Sequence, residues 1–265
     1  MNIQKVLLVG CPRSGTTILQ AIISSHPKVF SLPETHFFPA LCSSNTFYRK
    51  MGIATLKSKE ILLDLERQFL SESIIVPSLL SRRLVGQYFG LLDKVTRSTT
   101  KTLWLEKTPQ NLWFLPFIEK FAPNLKIIHI EREAKDVIAS IHYASMKYPE
   151  SWGYQNLDAT IKLWKDSKKI NDKYRNDARH LYCTYESLVE RPSEIINNIL
   201  SFINLHFVED LHQETNQQRK IISRQDDHWT REISEGLNRK ASRFHAHFNE
   251  EQQDYVLSAI ESEIS

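Results

Sequence analysis

Two patterns of apolar residues alternate along most of this chain. In the first, three to seven consecutive positions are largely apolar, which is typical of strands buried on both faces of a sheet. Five segments show this pattern and predict strands: Val6–Val9, Val29–Ser31, Leu103–Lys107, Lys126–Ile130 and Arg179–Tyr185.

In the second pattern apolar residues recur every three or four positions, as on one face of a helix. It predicts helices over the following segments: Ile18–His26, Lys57–Leu70, Glu133–Lys147, Asn156–Lys173, the stretch after Pro192, and a last helix capped by Asn249 and Gln252. Strands that alternate with helices predict an α/β fold, with a mostly parallel central sheet between helices in a P-loop-like three-layer sandwich. We expect a single domain over residues 1–265, with its ligand at the carboxyl ends of the strands.

Composition narrows the class of protein further. Of the 265 residues 41% are hydrophobic, enough for a sizeable core, and the net charge of +3 gives no reason to expect a nucleic-acid partner. The three cysteines, Cys11, Cys42 and Cys183, are odd in number and widely spaced, which favours reduced thiols over disulfides or a zinc site. No apolar run is long enough for a membrane span or a secretory signal, so the prediction is a cytoplasmic protein without a membrane partner.

The segment between the first strand and the first helix carries the clearest chemical signal. Gly10, Gly15 and Thr17 have the spacing of a P-loop, in which the N-terminus of a helix binds phosphate. Thr16 stands where that motif has its lysine, which argues against a nucleoside triphosphate as the ligand. Arg13 offers a planar guanidinium suited to oxyanions. The alternative is a strand–helix turn that binds nothing.

The loop together with the residues that follow it resembles a known family. Pro12 to Thr17, then His26-Pro27 and Pro33-Glu34-Thr35, are similar to sulfotransferases that use 3′-phosphoadenosine 5′-phosphosulfate (PAPS), above all to the bacterial branch related to tyrosylprotein sulfotransferases. The resemblance implies transfer of a sulfuryl group to a hydroxyl without a metal, with adenosine 3′,5′-bisphosphate (PAP) as product. It also implies that the 5′-phosphosulfate binds Arg13, Ser14, Gly15, Thr16 and Thr17.

The same resemblance assigns the catalytic groups. Glu34 matches the family's catalytic base, and Lys107 matches the lysine that contacts the bridging oxygen of the phosphosulfate, with Arg13 assisting. His36 is the second candidate for the base, since other sulfotransferases use a histidine. The alternatives are a solvated loop carboxylate at Glu34, a surface lysine at Lys107 and a histidine packed between Phe37 and Phe38.

Two later motifs match the nucleotide-binding residues of the family. Arg132 and Ser140, at the junction of the fourth strand and its helix, match the pair that binds the 3′-phosphate. A guanidinium and a hydroxyl suit that role chemically. Tyr185 matches a nucleotide-contacting tyrosine. The alternative for Arg132 is an ion pair with Asp136 alone.

Two regions are matched weakly. Residues 42–100 correspond to a helical insertion that shapes the acceptor pocket in the family, and only the helix from Lys57 is predicted inside it. Residues 212–247 lose the apolar periodicity, and in relatives a basic segment here covers the nucleotide. Arg239 and Lys240 are the candidates for that contact, and Trp229 is a candidate stacking surface.

Three other functions compete with an O-sulfotransferase. A P-loop nucleotide kinase would need the missing lysine and a magnesium-binding aspartate. An N-sulfotransferase, with an amine or guanidinium acceptor, would share the donor and the motifs. A binding module without activity would have no need of both Glu34 and Lys107. The interpretation retained is a sulfotransferase acting on the hydroxyl of a small molecule, in secondary-metabolite biosynthesis.

Overall fold

The computed structural model describes residues 3–41, 50–206 and 242–264. The strands are β1 Gln4–Val9, β2 Val29–Ser31, β3 Leu103–Lys107, β4 Lys126–Glu131 and β5 His180–Thr184. The helices are α1 Thr16–Ser24, α2 Phe37–Leu41, α3 Leu56–Phe69, α4 Ser81–Ser98, α5 Leu115–Ile118, α6 Ala134–Lys147, α7 Pro149–Trp152, α8 Leu157–Tyr174, α9 Tyr185–Glu190, α10 Pro192–Phe202, α11 Phe244–His247 and α12 Glu250–Ile264. A 3₁₀ helix, Pro109–Phe114, joins β3 to α5.

The five strands form one parallel sheet in the order β2-β3-β1-β4-β5. The chain moves from β1 to β2 on one side and later crosses to β4 and β5 on the other, so the strand order reverses at β1. In open α/β sheets the crevice at such a reversal is where ligands bind, at the carboxyl ends of the strands. The five-stranded parallel sheet with its flanking helices confirms the predicted α/β sandwich.

Alternate residues of the central strand explain why helices cover both faces. Val6 and Leu8 belong to an apolar cluster with residues of α1 and α10, whereas Leu7 and Val9 belong to a second cluster with residues of α2, α3 and α4. A strand buried on both faces needs apolar residues at every position, and this is the run that predicted it. A third cluster of buried apolar residues lies between α6, α8, α11 and α12.

One long helix was not predicted from the sequence, and several predicted boundaries differ from the observed ones by one or two residues. Helix α4 buries an apolar stripe that includes Leu84 and Tyr88, but it begins without a side-chain cap, so no start signal marks it. Strand β5 ends at Thr184 rather than at Tyr185, because Thr184 and Ser187 form a capping box that starts α9. Asn249 and Gln252 form the predicted reciprocal cap of α12. In the described ranges no helix combines the length and the apolar character needed to cross a bilayer.

Candidate functional site

The polar side chains of the predicted site lie along the carboxyl edge of the sheet. Lys107 is the last residue of β3, Arg132 directly follows β4, and Tyr185 directly follows β5. The loop between Val9 and Thr16 leaves the central strand at the same edge. Because all strands are parallel, groups separated by up to 170 positions meet there.

The backbone of the loop is shaped for a close approach. Arg13 and Gly15 have φ values of 72° and 99°, in the left-handed region that non-glycine residues adopt rarely and at a cost. A Cβ on Gly15 would lie 2.7 Å from Cδ2 of Tyr185, so glycine is required for its conformation and for its neighbour. At Gly10 a Cβ would lie 2.5 Å from the carbonyl oxygen of Ile130, so this glycine lets the loop leave β1 against β4.

The loop ends in the first turn of α1, whose amide groups have no carbonyl one turn earlier to bond. Gly15 precedes the helix without a side-chain cap. Ser14 is 1% exposed, and its hydroxyl has no hydrogen-bond partner among the described residues. Amide groups, the positive end of the helix dipole and an unpartnered hydroxyl form an arrangement suited to an anion.

Lys107 joins the loop to the candidate base. Its ammonium lies 3.2 Å from Oγ1 of Thr17, in the first turn of α1, and pairs directly with the carboxylate of Glu34. Lys107 is 2% exposed, whereas the side chain of Glu34 is 29% exposed and reaches solvent. His36 lies 3.5 Å from the other carboxylate oxygen of Glu34. Lys107 is therefore not a surface lysine, and His36 is not simply packed between phenylalanines.

A buried carboxyl group, Glu106, lies behind this pair. Its side chain is fully buried and accepts hydrogen bonds from the hydroxyls of Thr35 and Thr108 and from the amide of Asn111. Burial raises the pKa of Glu106 to about 7, although the two hydroxyls oppose that increase. The sequence analysis did not assign a role to Glu106; a carboxyl next to Lys107 in a wholly buried strand was the available signal.

Arg13 and Ser140 meet across the loop. Nε of Arg13 donates to the hydroxyl of Ser140 on α6 at 3.0 Å, and its guanidinium lies 5.8 Å from the centre of the Trp152 ring. The sequence analysis grouped Ser140 with Arg132, whereas the structure also connects Ser140 to the phosphate-binding loop. Trp152 was not predicted, and no periodicity in its short helix α7 indicates it.

Arg132 lies between β4, α6 and α9. Its guanidinium carbon is 4.4 Å from the centre of the Tyr185 ring, and one terminal nitrogen is 3.3 Å from the carboxylate of Asp136. Asp136 also accepts a hydrogen bond from Ser242. The ion pair with Asp136 is therefore present, but it does not use the whole guanidinium. Nε of Arg132 is buried and has no hydrogen-bond partner within residues 3–41, 50–206 and 242–264.

The structure thus brings most of the predicted site together at one edge. Arg13, Ser14, Gly15, Thr16 and Thr17 form the loop and the first turn of α1. Glu34 and Lys107 are in contact, and Arg132 and Tyr185 are stacked. Arg239, Lys240 and Trp229 lie outside the described residues, so their roles stay predictions.

Comparison with known proteins decides the family. The model of the "Sulfotransferase family" matches residues 5–210, which include nearly all of the site described above. The chain belongs to the sulfotransferase family. This sulfotransferase is 26% identical over 216 residues to a putative protein-tyrosine sulfotransferase of Caenorhabditis briggsae, an alignment that covers 79% of this chain and 69% of the nematode protein. It spans only 53% of the protein-tyrosine sulfotransferase 1 of Danio rerio.

Solved structures of sulfotransferases share the fold. The sulfotransferase domain of the Synechococcus PCC 7002 olefin synthase superposes with a TM-score of 0.62, at 17% identity, over 98% of this chain and 96% of that domain. A mouse sulfotransferase complexed with PAP superposes with a TM-score of 0.60, at 15% identity, over 98% of this chain and 84% of the mouse protein. The predictions of the family, of the fold and of a sulfotransferase enzyme are confirmed.

Proposed function

We propose that this enzyme transfers the sulfuryl group of PAPS to a hydroxyl of a small molecule. The observation that carries the proposal is the position of Lys107, whose ammonium contacts both the first turn of α1 and the carboxylate of Glu34. One residue thereby connects the anion-binding loop to a partly exposed base. Such an arrangement suits a transfer in which a donor anion and an acceptor hydroxyl react side by side.

The residues of the site fit the donor. Ser14 Oγ and Arg132 Nε are buried donors without partners in the described part of the chain, one in the loop and the other between β4 and α9. Leaving such groups unpaired costs stability, and an anionic ligand would satisfy them. Ser14 and Thr17 would hold the 5′-phosphosulfate, and Arg132 and Ser140 the 3′-phosphate.

The chemistry assigned to each residue follows from charge. The bound donor supplies the sulfuryl group and a leaving group with two negative phosphates. Glu34 takes the proton of the acceptor hydroxyl as the new oxygen–sulfur bond forms. Lys107 and Arg13 stabilise the charge that develops on the bridging oxygen as its bond to sulfur breaks. Nothing in these steps calls for a metal.

We propose an acceptor with an apolar body, which is consistent with a secondary metabolite. The segments expected to shape its pocket expose large apolar side chains, among them Met51, Leu56 and Leu79. The hydroxyl of Thr55 donates to the carbonyl of Ala40 at the end of α2, so this region lies next to the segment that carries Glu34. The cytoplasmic location proposed with this function rests on the cysteines, since Cys11 and Cys183 are both buried free thiols.

A thermal-shift comparison tests the donor. PAP is expected to raise the melting temperature, and ATP with Mg²⁺ should raise it far less, because Thr16 replaces the lysine that binds the β- and γ-phosphates. Equal stabilisation by Mg-ATP would favour the nucleotide kinase instead.

The acceptor is tested by sulfuryl transfer from labelled PAPS to three panels: alcohols and phenols, amines, and tyrosine-containing peptides. The proposal predicts labelled products in the first panel. Labelling confined to the amines would identify an N-sulfotransferase, and labelling confined to the peptides would identify a protein-modifying enzyme.

A further inference from the structure

Glu106 is buried next to the segment that carries Glu34, since it accepts a hydrogen bond from Thr35. It lies on β3 immediately before Lys107. Its side chain is fully buried and has hydrogen-bond partners both before and after β3 in the chain. A carboxyl buried at that depth needs donors to offset the loss of water.

The direction of each hydrogen bond around Glu106 can be assigned. Oε1 accepts hydrogen bonds whether the carboxyl group is ionised or protonated on its other oxygen, so the hydroxyls of Thr35 and Thr108 both donate to Oε1, at 3.1 and 2.6 Å. The amide nitrogen of Asn111 donates to Oε2 at 2.6 Å. Each hydroxyl has only one proton, so in every other bond both hydroxyl oxygens must accept.

Those remaining bonds hold the backbone after Glu34. The hydroxyl of Thr108 accepts from the amides of Thr35 and His36, at 3.2 and 3.4 Å. The hydroxyl of Thr35 accepts from the amide of Phe37 at 3.2 Å, and from the phenol of Tyr88 at 3.0 Å. Three consecutive amides therefore bond hydroxyls whose orientation is set by Glu106.

The backbone at this point requires such support. His36 has a φ of 52°, a left-handed conformation that costs about 1 kcal/mol or more for a residue other than glycine. The turn at His36 begins two residues after Glu34, so its geometry determines where the carboxylate of Glu34 lies relative to Lys107.

We propose that Glu106 is a positioning residue, which orients Thr35 and Thr108 so that their hydroxyls fix the turn at residues 35–37 and place Glu34 against Lys107. The inference rests on the proposed function, in which Glu34 is the base. It requires an acceptor oxygen at position 106 and does not require Glu106 to contact either substrate.

Glu106→Leu and Glu106→Gln are the variants that test the role of the acceptor. Leucine removes both acceptors. Glutamine keeps Oε1 for the two hydroxyls, while Asn111 can turn its amide so that its own oxygen, which has no partner among the described residues, faces the new NH₂ group. Leucine should lower kcat about 10- to 100-fold, because small displacements of a catalytic group have effects of that size. Glutamine should restore most of the activity, and the affinity for PAP should change less than threefold in both.

Hydrogen exchange measures how firmly the amides of residues 35–37 are held by these hydrogen bonds, and it needs no assay of activity. The amides of residues 35–37 should exchange at least tenfold faster in Glu106→Leu than in the wild type, and Glu106→Gln should be close to the wild type. Glu66→Leu is the matched control, because Glu66 is also a buried carboxylate that anchors a loop, through the amides of Ile74 and Ile75. It should leave the exchange at 35–37 unchanged. Should Glu106→Leu fail to fold, Thr108→Val removes the acceptor for two of the three amides and leaves Glu106 in place.

A double-mutant cycle with Glu34→Gln separates positioning from a general loss of structure. If Glu106 acts through Glu34, its replacement by leucine should have less than a threefold effect on kcat in the Glu34→Gln background. The same loss in both backgrounds would overturn the proposal, as would unchanged exchange at 35–37 in both Glu106→Leu and Thr108→Val. A wild type without sulfuryl transfer would refute the proposed function, whereas the exchange data would still decide whether the anchor exists.

Discussion

Two buried polar networks lie at different places on the same sheet. The first is the site at the carboxyl edge. The second, here called the α8 network, lies where α8 packs on β4 and β5: His129 bonds Asn171 at 2.9 Å and His180 at 2.8 Å, and His180 in turn lies 3.1 Å from Glu119. Arg179 completes it with an ion pair to Glu119 at 2.8 Å. In the α8 network each of these groups bonds another member, whereas the carboxyl edge contains buried donors without partners in the described part of the chain.

The difference shows that residue type alone does not identify a functional site. Glu119, Asp177 and His180 have the ligand atoms of a metal site, within 4.8 Å of one another. Arg179 bonds the carboxylates of both Glu119 and Asp177, so its guanidinium already supplies the positive charge that a metal ion would bring. At the carboxyl edge the buried groups Ser14 and Arg132 still have bonding capacity, and this is what a ligand can use.

The largest expected effect concerns the base. Glu34→Gln keeps the shape of the side chain but removes the proton acceptor, so kcat should fall by about 10² to 10⁴ with little change in PAP affinity. His36→Ala should alter acceptor affinity or stability more than kcat. Turnover and calorimetric PAP binding of both variants measure this. Near-normal turnover in Glu34→Gln with collapse in His36→Ala would assign the base to the histidine.

Acidification should weaken the α8 network. Burial lowers the pKa of His129 from 6.5 to about 3, so the folded protein holds the neutral ring and loses stability as the pH falls below 6.5. The full difference corresponds to about 5 kcal/mol, and about 2 kcal/mol of it should appear between pH 7 and 5. Urea unfolding of the wild type and of His129→Gln measures it: the wild type should lose more stability than the variant. Parallel pH curves would show that His129 does not titrate as described.

Acidification should have the opposite effect at Glu106. Its folded pKa of about 7 is above the ordinary value of 4.5, so its contribution to stability is fully present below pH 4.5 and is lost as the pH rises through 7. Relative to Glu106→Gln, the wild type should gain on the order of 2–3 kcal/mol between pH 8 and 5. The same urea experiment applies. A difference that stays constant with pH would mean that Glu106 remains ionised throughout, held by its three donors.

An effect of similar size is expected on nucleotide binding. Arg132→Ala removes a charged donor worth roughly 1.5–3 kcal/mol, so PAP affinity should fall about ten- to a hundredfold. The loss should largely disappear with adenosine 5′-phosphate, which has no 3′-phosphate. Asn171→Ala in the α8 network serves as the control: it should lower stability without changing PAP affinity. Equal losses for both nucleotides would assign Arg132 a structural role.

Most of the strands and long helices, and the family, could be predicted from the sequence. Strands with apolar residues at every position and helices with one apolar stripe are local patterns, so their alternation predicts an α/β sheet before any contact is known. The loop from Gly10 to Thr17 and the later motifs at Lys107, Arg132 and Tyr185 stand in family order, which identified the sulfotransferase family and most of the candidate site.

Which groups are buried together became known only from the packing of the elements in the folded domain. Whether a hydroxyl or a guanidinium has a partner depends on residues far along the chain. Arg13 meets Ser140 across 127 positions, and the ring of Tyr185 lies only 2.7 Å from where a Cβ on Gly15 would be. No sequence motif marked Glu106, and its proposed role follows from hydrogen bonds such as the one from Thr35, which is 71 positions away. Periodicity reports which face of an element is buried, but the partners across that face are set by the packing of the whole domain.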